Sequence, residues 1–341
     1  MLYNTSKVMK QATIQKIHSI LRHPNPDVTK LEIGKVKEWP VVIPKGQFKD
    51  GDFVVFILID SIVPETNPYF EFMRKQHFRV WNAKFKGAPS QGLVCPMSIL
   101  PTLPKSWALD DDVSEVLGVT KYEKGLDATI AGDAKGRFPT DVVTITDEDN
   151  LLNYPEVLDE FRGELCYLTV KADGSSMTVI YDNGEVRVCS RRLEQKEGTG
   201  LWTLADSYAL PDRLKELKKS LAIQAEACGG KIQGNPLGLK RPTMFVFNVK
   251  EDDTGRWYGW EEIKQTCSVL NIPTVQLVCE PFVFDDTWTI ARLQELANKV
   301  TYTTDTGELR KGEGIVLRPV TPKFSPVIGK PLSVKILNQA Y

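Results

Sequence analysis

The residues best suited to covalent chemistry stand together in Lys171-Ala172-Asp173-Gly174-Ser175-Ser176. The apolar run Leu165 to Val170 reads as a strand, so Lys171 falls where that strand breaks into a turn. A lysine amine there can act as a nucleophile, with a carboxylate two residues on and then a glycine that lets backbone approach a phosphate. The tetrapeptide Lys171 to Gly174 also makes an ordinary hairpin turn with a solvated lysine, so it decides nothing alone. The downstream segments add the weight. In order come Ser190-Arg191, Ala225-Glu226-Ala227, Phe245-Val246-Phe247-Asn248, Glu313-Gly314-Ile315-Val316-Leu317-Arg318 and Ser333-Val334-Lys335-Ile336. The three histidines, His18, His23 and His77, all lie early, which excludes histidine acid–base chemistry in the C-terminal half. Phosphoryl-type transfer does not need it, since positioning and charge neutralisation dominate there.

These residues need elements to hold them. Thr178 to Tyr181 and Glu185 to Cys189 read as strands joined by a tight Asn183-Gly184 turn. Phe245 to Val249, Ile315 to Arg318 and Ser333 to Leu337 read as further strands. Arg213 to Glu226 has apolar residues at helical spacing behind Pro211-Asp212, which puts Glu226 at a helix end. Trp260 to Leu270 and Thr289 to Val300 are also predicted as helices. The sum is an α+β domain of antiparallel character over 141–341.

The first hundred residues read differently. Leu31 to Val36, Trp39 to Ile43 and the apolar run Phe53 to Ile59 are short strands punctuated by Lys49-Asp50-Gly51-Asp52, the pattern of a small barrel or sandwich. The string His23-Pro24-Asn25-Pro26-Asp27 with Leu31-Glu32-Ile33, Val41-Val42-Ile43 and Gly51-Asp52 resembles oligonucleotide-binding (OB) modules. An OB-like β-barrel is therefore expected over 1–105. Between Phe70 and Lys86, Arg74, Lys75, Arg79, Lys84 and Lys86 interleave with Phe72, Phe78, Trp81 and Phe85. That composition suits a nucleic-acid face, or equally a structural extension whose aromatics are core. The acidic, glycine-containing stretch 106–140 reads as a linker with one short helix.

The net charge of −1 hides a division. Residues 1–105 hold 15 Lys+Arg against 8 Asp+Glu, and the remainder 28 against 36. A basic first domain is the footprint of a phosphate-backbone partner, although a solvated lysine-rich face counts the same. A 42% hydrophobic, 26% charged chain of 341 residues is ordinary for a globular protein of two domains. No apolar run approaches the roughly 20 residues of a membrane span, and Met1 to Ile17 lacks a secretory signal pattern. An intracellular protein is expected. The six scattered cysteines contain no C-x-x-C pair, against a zinc site or disulfide framework.

The order Lys171-x-Asp173-Gly174, Arg191, Glu226, Phe247, Glu313-Gly314-Ile315-Val316 and Lys335 resembles the collinear motifs of the covalent nucleotidyltransferases, the ATP ligases and mRNA capping enzymes. Ser175, where DNA ligases and capping enzymes usually carry arginine, and the OB-like module placed first make it similar to RNA ligases that join 3′-OH and 5′-phosphate ends, typically at nicks in duplexes. That resemblance implies ATP as substrate, Mg²⁺ or Mn²⁺ as cofactor, and a nicked RNA duplex as partner of a monomer. It implies that Lys171 attacks the α-phosphorus to give a lysyl–AMP, with Asp173 orienting it through a metal-bound water. It further implies that Arg191 and Glu226 hold the ribose, Phe247 stacks on adenine, Glu313 binds metal and Lys335 contacts the α-phosphate. Gly174 belongs to the same nucleotide-binding set.

Three departures from the family pattern stand out. Asn150 and Leu152 come after Thr146-Asp147-Glu148 where Arg and Gln are expected, and Ser333 replaces the first lysine of a K-x-K. Val170 precedes the nucleophile where some relatives have Glu. The first two bear on triphosphate grip, the third on adenine recognition. A guanylyltransferase, a DNA ligase or a nucleic-acid-binding protein with a decayed site are the alternatives.

Overall fold

The computed structural model describes residues 10–101, 107–122, 132–304 and 306–341. The chain forms two compact units, Met1–Gly125 and Leu126–Tyr341.

In the first unit a five-stranded antiparallel sheet runs in the order Trp39–Pro44, Leu31–Val36, Ala12–Arg22, Phe53–Ile57, Leu93–Pro96. The long strand Ala12–Arg22 serves both halves. Its first five residues pair with Phe53–Ile57, and after a register shift near Ile17 the rest pairs with Leu31–Val36. Such a shift bends the strand and lets one sheet curl toward closure. Val42 N–H donates to Ser90 Oγ across the gap at 3.0 Å. Ala12, Ile14, Val55, Ile57 and Phe70 fill the interior. Part of the stretch expected as linker belongs here: Val113, Leu117 and Val119 lie in this core, and Ser114–Leu117 is a short helix.

The second unit stacks two sheets. One has six antiparallel strands in the order Ala134–Arg137, Leu193–Gln195, Glu185–Ser190, Ser175–Asp182, Leu221–Cys228, Thr243–Glu251. The other runs Asp149–Asn150, Val334–Leu337, Gly314–Pro319, Leu165–Val170, Leu277–Val283, with only the first pair parallel. Both sheets contribute to one core that includes Phe161, Leu168, Met177, Ile223, Trp260 and Leu317. Helices Trp260–Leu270 and Ile290–Lys299 fall where the periodicity puts them. The first starts where Gly259 N–H donates to Glu262 Oε2 at 3.0 Å and stops at Asn271 in the left-handed region. Asn183 and Gly184, with φ of +49° and +84°, close the expected hairpin.

One expectation is overturned. The helix predicted over Arg213 to Glu226 is Leu210–Leu217, ended by Lys218 in the left-handed region, and Leu221–Cys228 is a strand. That strand lies inside the six-stranded sheet with all but Glu226 buried; Gln224 and Glu226 alternate with Ile223, Ala225 and Ala227, but the unbroken Leu221-Ala222-Ile223 continues the helical spacing of Leu214 and Leu217 and masks the strand. Glu226 therefore stands on a strand, not at a helix end. Among the described residues no helix is long and apolar enough to cross a membrane.

Candidate functional site

Lys171 is delivered by the strand Leu165–Val170, pinned on both sides by Leu277–Val283 and Gly314–Pro319. The chain leaves the sheet there, and Lys171 N–H donates to Gly314 O at 2.8 Å. That bond brings the start of the Gly314 strand, and with it Glu313, beside the lysine. Lys171 Nζ lies 2.5 Å from Glu313 Oε2, each side chain 24% exposed. Gly314 has to be glycine because a Cβ would lie 2.3 Å from Ile336 O, in the strand that carries Lys335. Gly174 has a similar duty. A Cβ there would lie 2.2 Å from Ala227 O, so the residue lets the Lys171 turn close onto the strand bearing Glu226. The constraint on Gly174 is thus backbone against backbone.

Electrostatics tie the cluster together. Burial pushes the Glu226 carboxyl up to about 7, with Glu313 and Asp173 adding to the rise and Lys171 and Arg191 opposing it. Burial pushes the Lys335 ammonium down, while Asp147 works the other way. Arg191 Nη2 lies 2.9 Å from Asp147 Oδ1, and Lys335 Nζ lies 3.9 Å from the same oxygen. Asp173 Oδ2 accepts a hydrogen bond from the Tyr341 hydroxyl at 2.7 Å. Of the residues singled out from sequence, Lys171, Asp173, Gly174, Arg191, Glu226, Glu313 and Lys335 thus form one group. Phe247 lies farther along the cleft, its ring 5.6 Å from the Arg318 guanidinium.

Beyond them a small cavity of about 70 Å³ lies between the two sheets, with Gln224 and Asn248 from one and Tyr167 and Arg318 from the other. Its wall contains the Glu148–Arg318 ion pair at 2.5 Å. Burial disfavours the Glu148 carboxylate, but Arg318, Ser333 and Lys330 together outweigh it and hold the group below the usual carboxylate range. Lys330 joins that wall, 2.9 Å from Asp149 and bonded to the Asp147 carbonyl. The departures from the family pattern are all packed inside the protein. Asn150 is buried and its Oδ1 accepts from Leu152 N–H at 2.9 Å, Leu152 and Val170 are core, and Ser333 is buried.

Asp147, Glu148, Arg318, Lys330 and Tyr341 received no role from sequence. Glu148 and Arg318 are 170 residues apart and Asp173 and Tyr341 are 168 apart, so no local pattern could pair them. In the first unit the five basic candidates divide. Arg74 is spent on Glu71 and Arg79 on Asp60, at 2.7 and 2.6 Å. Lys75, Lys84 and Lys86 are exposed, the last two around a hairpin that also exposes Phe85, next to exposed Trp81. Phe70 and Phe78 are core, so that stretch is both extension and aromatic face.

Known proteins share this arrangement. The RNA ligase family matches residues 164–332, and an OB-fold domain family matches residues 11–97. No curated protein matches the chain by sequence. Among solved structures, the Naegleria gruberi RNA ligase with pyrophosphate is 29% identical, with a TM-score of 0.80 over 98% of each chain. A mutant of that ligase with AMP and Mn, and another with ATP and Mn, are also 29% identical, each with a TM-score of 0.81 over 97% of this chain and 98% of theirs. The likeness runs through both units, joins an OB fold to a ligase domain, and places this chain in the RNA ligase family.

Proposed function

We propose that the protein is an ATP-dependent RNA ligase that joins 3′-OH and 5′-phosphate ends, using Lys171 as nucleophile and acting on nicked duplexes as a monomer. One observation carries this reading: the Lys171 ammonium lies 2.5 Å from Glu313 in a group that also holds Asp173, Glu226 and Lys335. The amine attacks the α-phosphorus of ATP, a P–N bond forms, and pyrophosphate leaves with the electrons of the broken P–O bond. The proton of the ammonium is lost before attack, and Glu313 is the carboxylate placed nearest to it. AMP then passes to an RNA 5′-phosphate, and the 3′-OH displaces it to form the phosphodiester.

Arg191 and Glu226 are assigned to the ribose, Phe247 to the adenine face and Lys335 to the α-phosphate. Asp147 now bridges Arg191 and Lys335 with its carboxylate, the place an anionic phosphate would take. The relatives' complexes with ATP or AMP and Mn support ATP as substrate and a divalent cation as cofactor. The residues fit such an ion. The carboxylates of Glu313, Asp173 and Glu226 crowd around one ammonium, and hard Mg²⁺ or Mn²⁺ prefers oxygen donors. No group of three or more residues among those described could hold a metal by itself, which suits an ion shared with substrate phosphates. Glu313 would bind it directly and Asp173 through water, and it would neutralise phosphate charge.

Incubation with labelled ATP and metal tests the proposal. The wild type should form a protein–AMP adduct that is stable to alkali and labile to acid, as a P–N bond is, and that Lys171→Ala abolishes, with the melting temperature little changed. Lys171→Arg should also fail, since a guanidinium stays protonated. Labelling that persists in either variant would sink the assignment.

A further inference from the structure

A second cavity, about 550 Å³, lies in the ligase domain away from the Glu148–Arg318 wall, lined by Leu239, Lys240, Arg241, Phe245, Tyr302 and Thr304. Two segments that feed the catalytic cluster form it. Phe245 stands opposite Glu226 in strand register, and the hairpin Thr301–Thr303 with Leu309–Lys311 ends just before Glu313. The groove therefore runs along the chain segments that present both carboxylates. Its floor is aromatic, with Phe245 and Tyr302 edge to face and centroids 5.8 Å apart.

Its rim is cationic in an acidic setting. Lys240 and Arg241 line it, and the segment Gly229 to Asn248 that holds them contains no acidic residue. That is unlike the chain beyond residue 105 as a whole, where acids exceed bases by 36 to 28. Lys240 and Arg241 are exposed and have no ion-pair partner among the described residues. Arg310 lies over Gly238, where a Cβ would sit 3.1 Å from its Nε, but its guanidinium is paired with Glu308 at 3.0 Å, so Lys240 and Arg241 are the cations the groove offers. Structural ion pairing does not account for exposed, unneutralised cations beside a polar, aromatic-floored groove. Phosphate binding does, because Lys and Arg positioned along a groove fix the register of a nucleic-acid backbone.

We infer that this groove holds the phosphate backbone of the RNA strand next to the end being sealed, with Lys240 and Arg241 as phosphate contacts. This rests on the RNA-ligase reading and adds an RNA-binding surface on the ligase domain to the one the basic charge of the first unit leads us to expect there.

The test uses the full chain, the double variant Lys240→Gln/Arg241→Gln, and the charge-conserving pair Lys240→Arg/Arg241→Lys. Three quantities are measured: protein–AMP formation without RNA, affinity for a nicked RNA duplex across salt concentrations, and sealing at limiting RNA. The neutral variant should label at the wild-type rate. Its salt slope should shrink by about 1.5, from roughly 0.7 to 0.9 per lost phosphate contact, and sealing at limiting RNA should fall about tenfold. The charge-conserving variant should keep the wild-type slope. An unchanged slope and affinity in the neutral variant would overturn the groove, as would loss of labelling, which would assign these residues to the nucleotide step. If the wild type itself neither labels nor seals, the RNA-ligase reading fails instead.

Discussion

At the scale of single residues, Glu226 shows how the fold prepares a site at a cost to itself. Its carboxyl is raised to about 7 chiefly by burial, from the ordinary 4.5. The folded state therefore holds a proton that the unfolded state releases, and stability must fall as pH climbs from about 4.5 to 7 and stay reduced above that. Glu226→Gln removes this liability. In metal-free buffer the variant should be more stable than wild type at pH 8, by on the order of 3 kcal/mol, and equal to it near pH 4.5. Thermal melts of both proteins across that range decide it: parallel curves would mean Glu226 does not titrate there. Glu313 makes a complementary prediction. Both Glu313→Ala and Glu313→Gln should lose most AMP transfer, with part recovered at high Mn²⁺, because an amide is a poor ligand for a hard cation. An unchanged rate and metal midpoint in both would remove Glu313 from the site.

At the scale of elements, the segment 142–150 bridges the two sheets. Lys250 Nζ bonds the Val142 carbonyl and Gln224 Nε2 donates to Thr144 O at 2.8 Å, both from the six-stranded sheet. Asp149–Asn150 then pairs with Val334–Lys335 in the other. Glu148 and Arg318 lock this crossing with side chains only 19% and 8% exposed. Removing one partner strands the other charge, so Glu148→Ala should cost about 3 kcal/mol. For a domain of this size that lowers the melting temperature by on the order of 10 °C. Glu148→Leu with Arg318→Met should recover much of the loss, since an apolar pair of similar volume needs no desolvated charge. A double variant no better than Glu148→Ala would show that the pair also fixes the geometry of the crossing.

At the scale of the whole molecule, each unit has its own apolar core, so the ligase domain can be tested alone. The boundary matters. A fragment starting at Asp141 would lose the edge strand Ala134–Arg137 and Phe138, which packs on Ile180, Cys189 and Ala222. A fragment of residues 126–341 keeps both. It should form the AMP adduct at near the wild-type rate but seal nicked RNA roughly tenfold more slowly at limiting substrate, for want of phosphate contacts. The full chain's RNA affinity should fall more steeply with salt than the fragment's, because the basic first unit contributes such contacts. Equal sealing by both would remove the OB module from substrate binding.

Much of this was legible in the chain itself, and the reasons are local. Lys171 at a strand end, the Asn183-Gly184 hairpin and helix Trp260–Leu270 each arise from a few neighbouring residues whose backbone preferences agree. The motif order and the uneven charge are likewise properties of the linear sequence. The strand Leu221–Cys228 was hidden because its buried start, Leu221-Ala222-Ile223, continues the helical spacing of Leu214 and Leu217. The small glycine at 174 was readable, but its reason, the Ala227 carbonyl 2.2 Å from where a Cβ would be, was not. The pairings of Glu148 with Arg318 and of Asp173 with Tyr341, and the Arg191–Asp147–Lys335 bridge, arise only when segments distant in sequence become neighbours in space. Side-chain identity determines which chemistry is available. Only tertiary packing decides which charges must share one desolvated space, and so which of them change their protonation, pair or lie ready for a ligand.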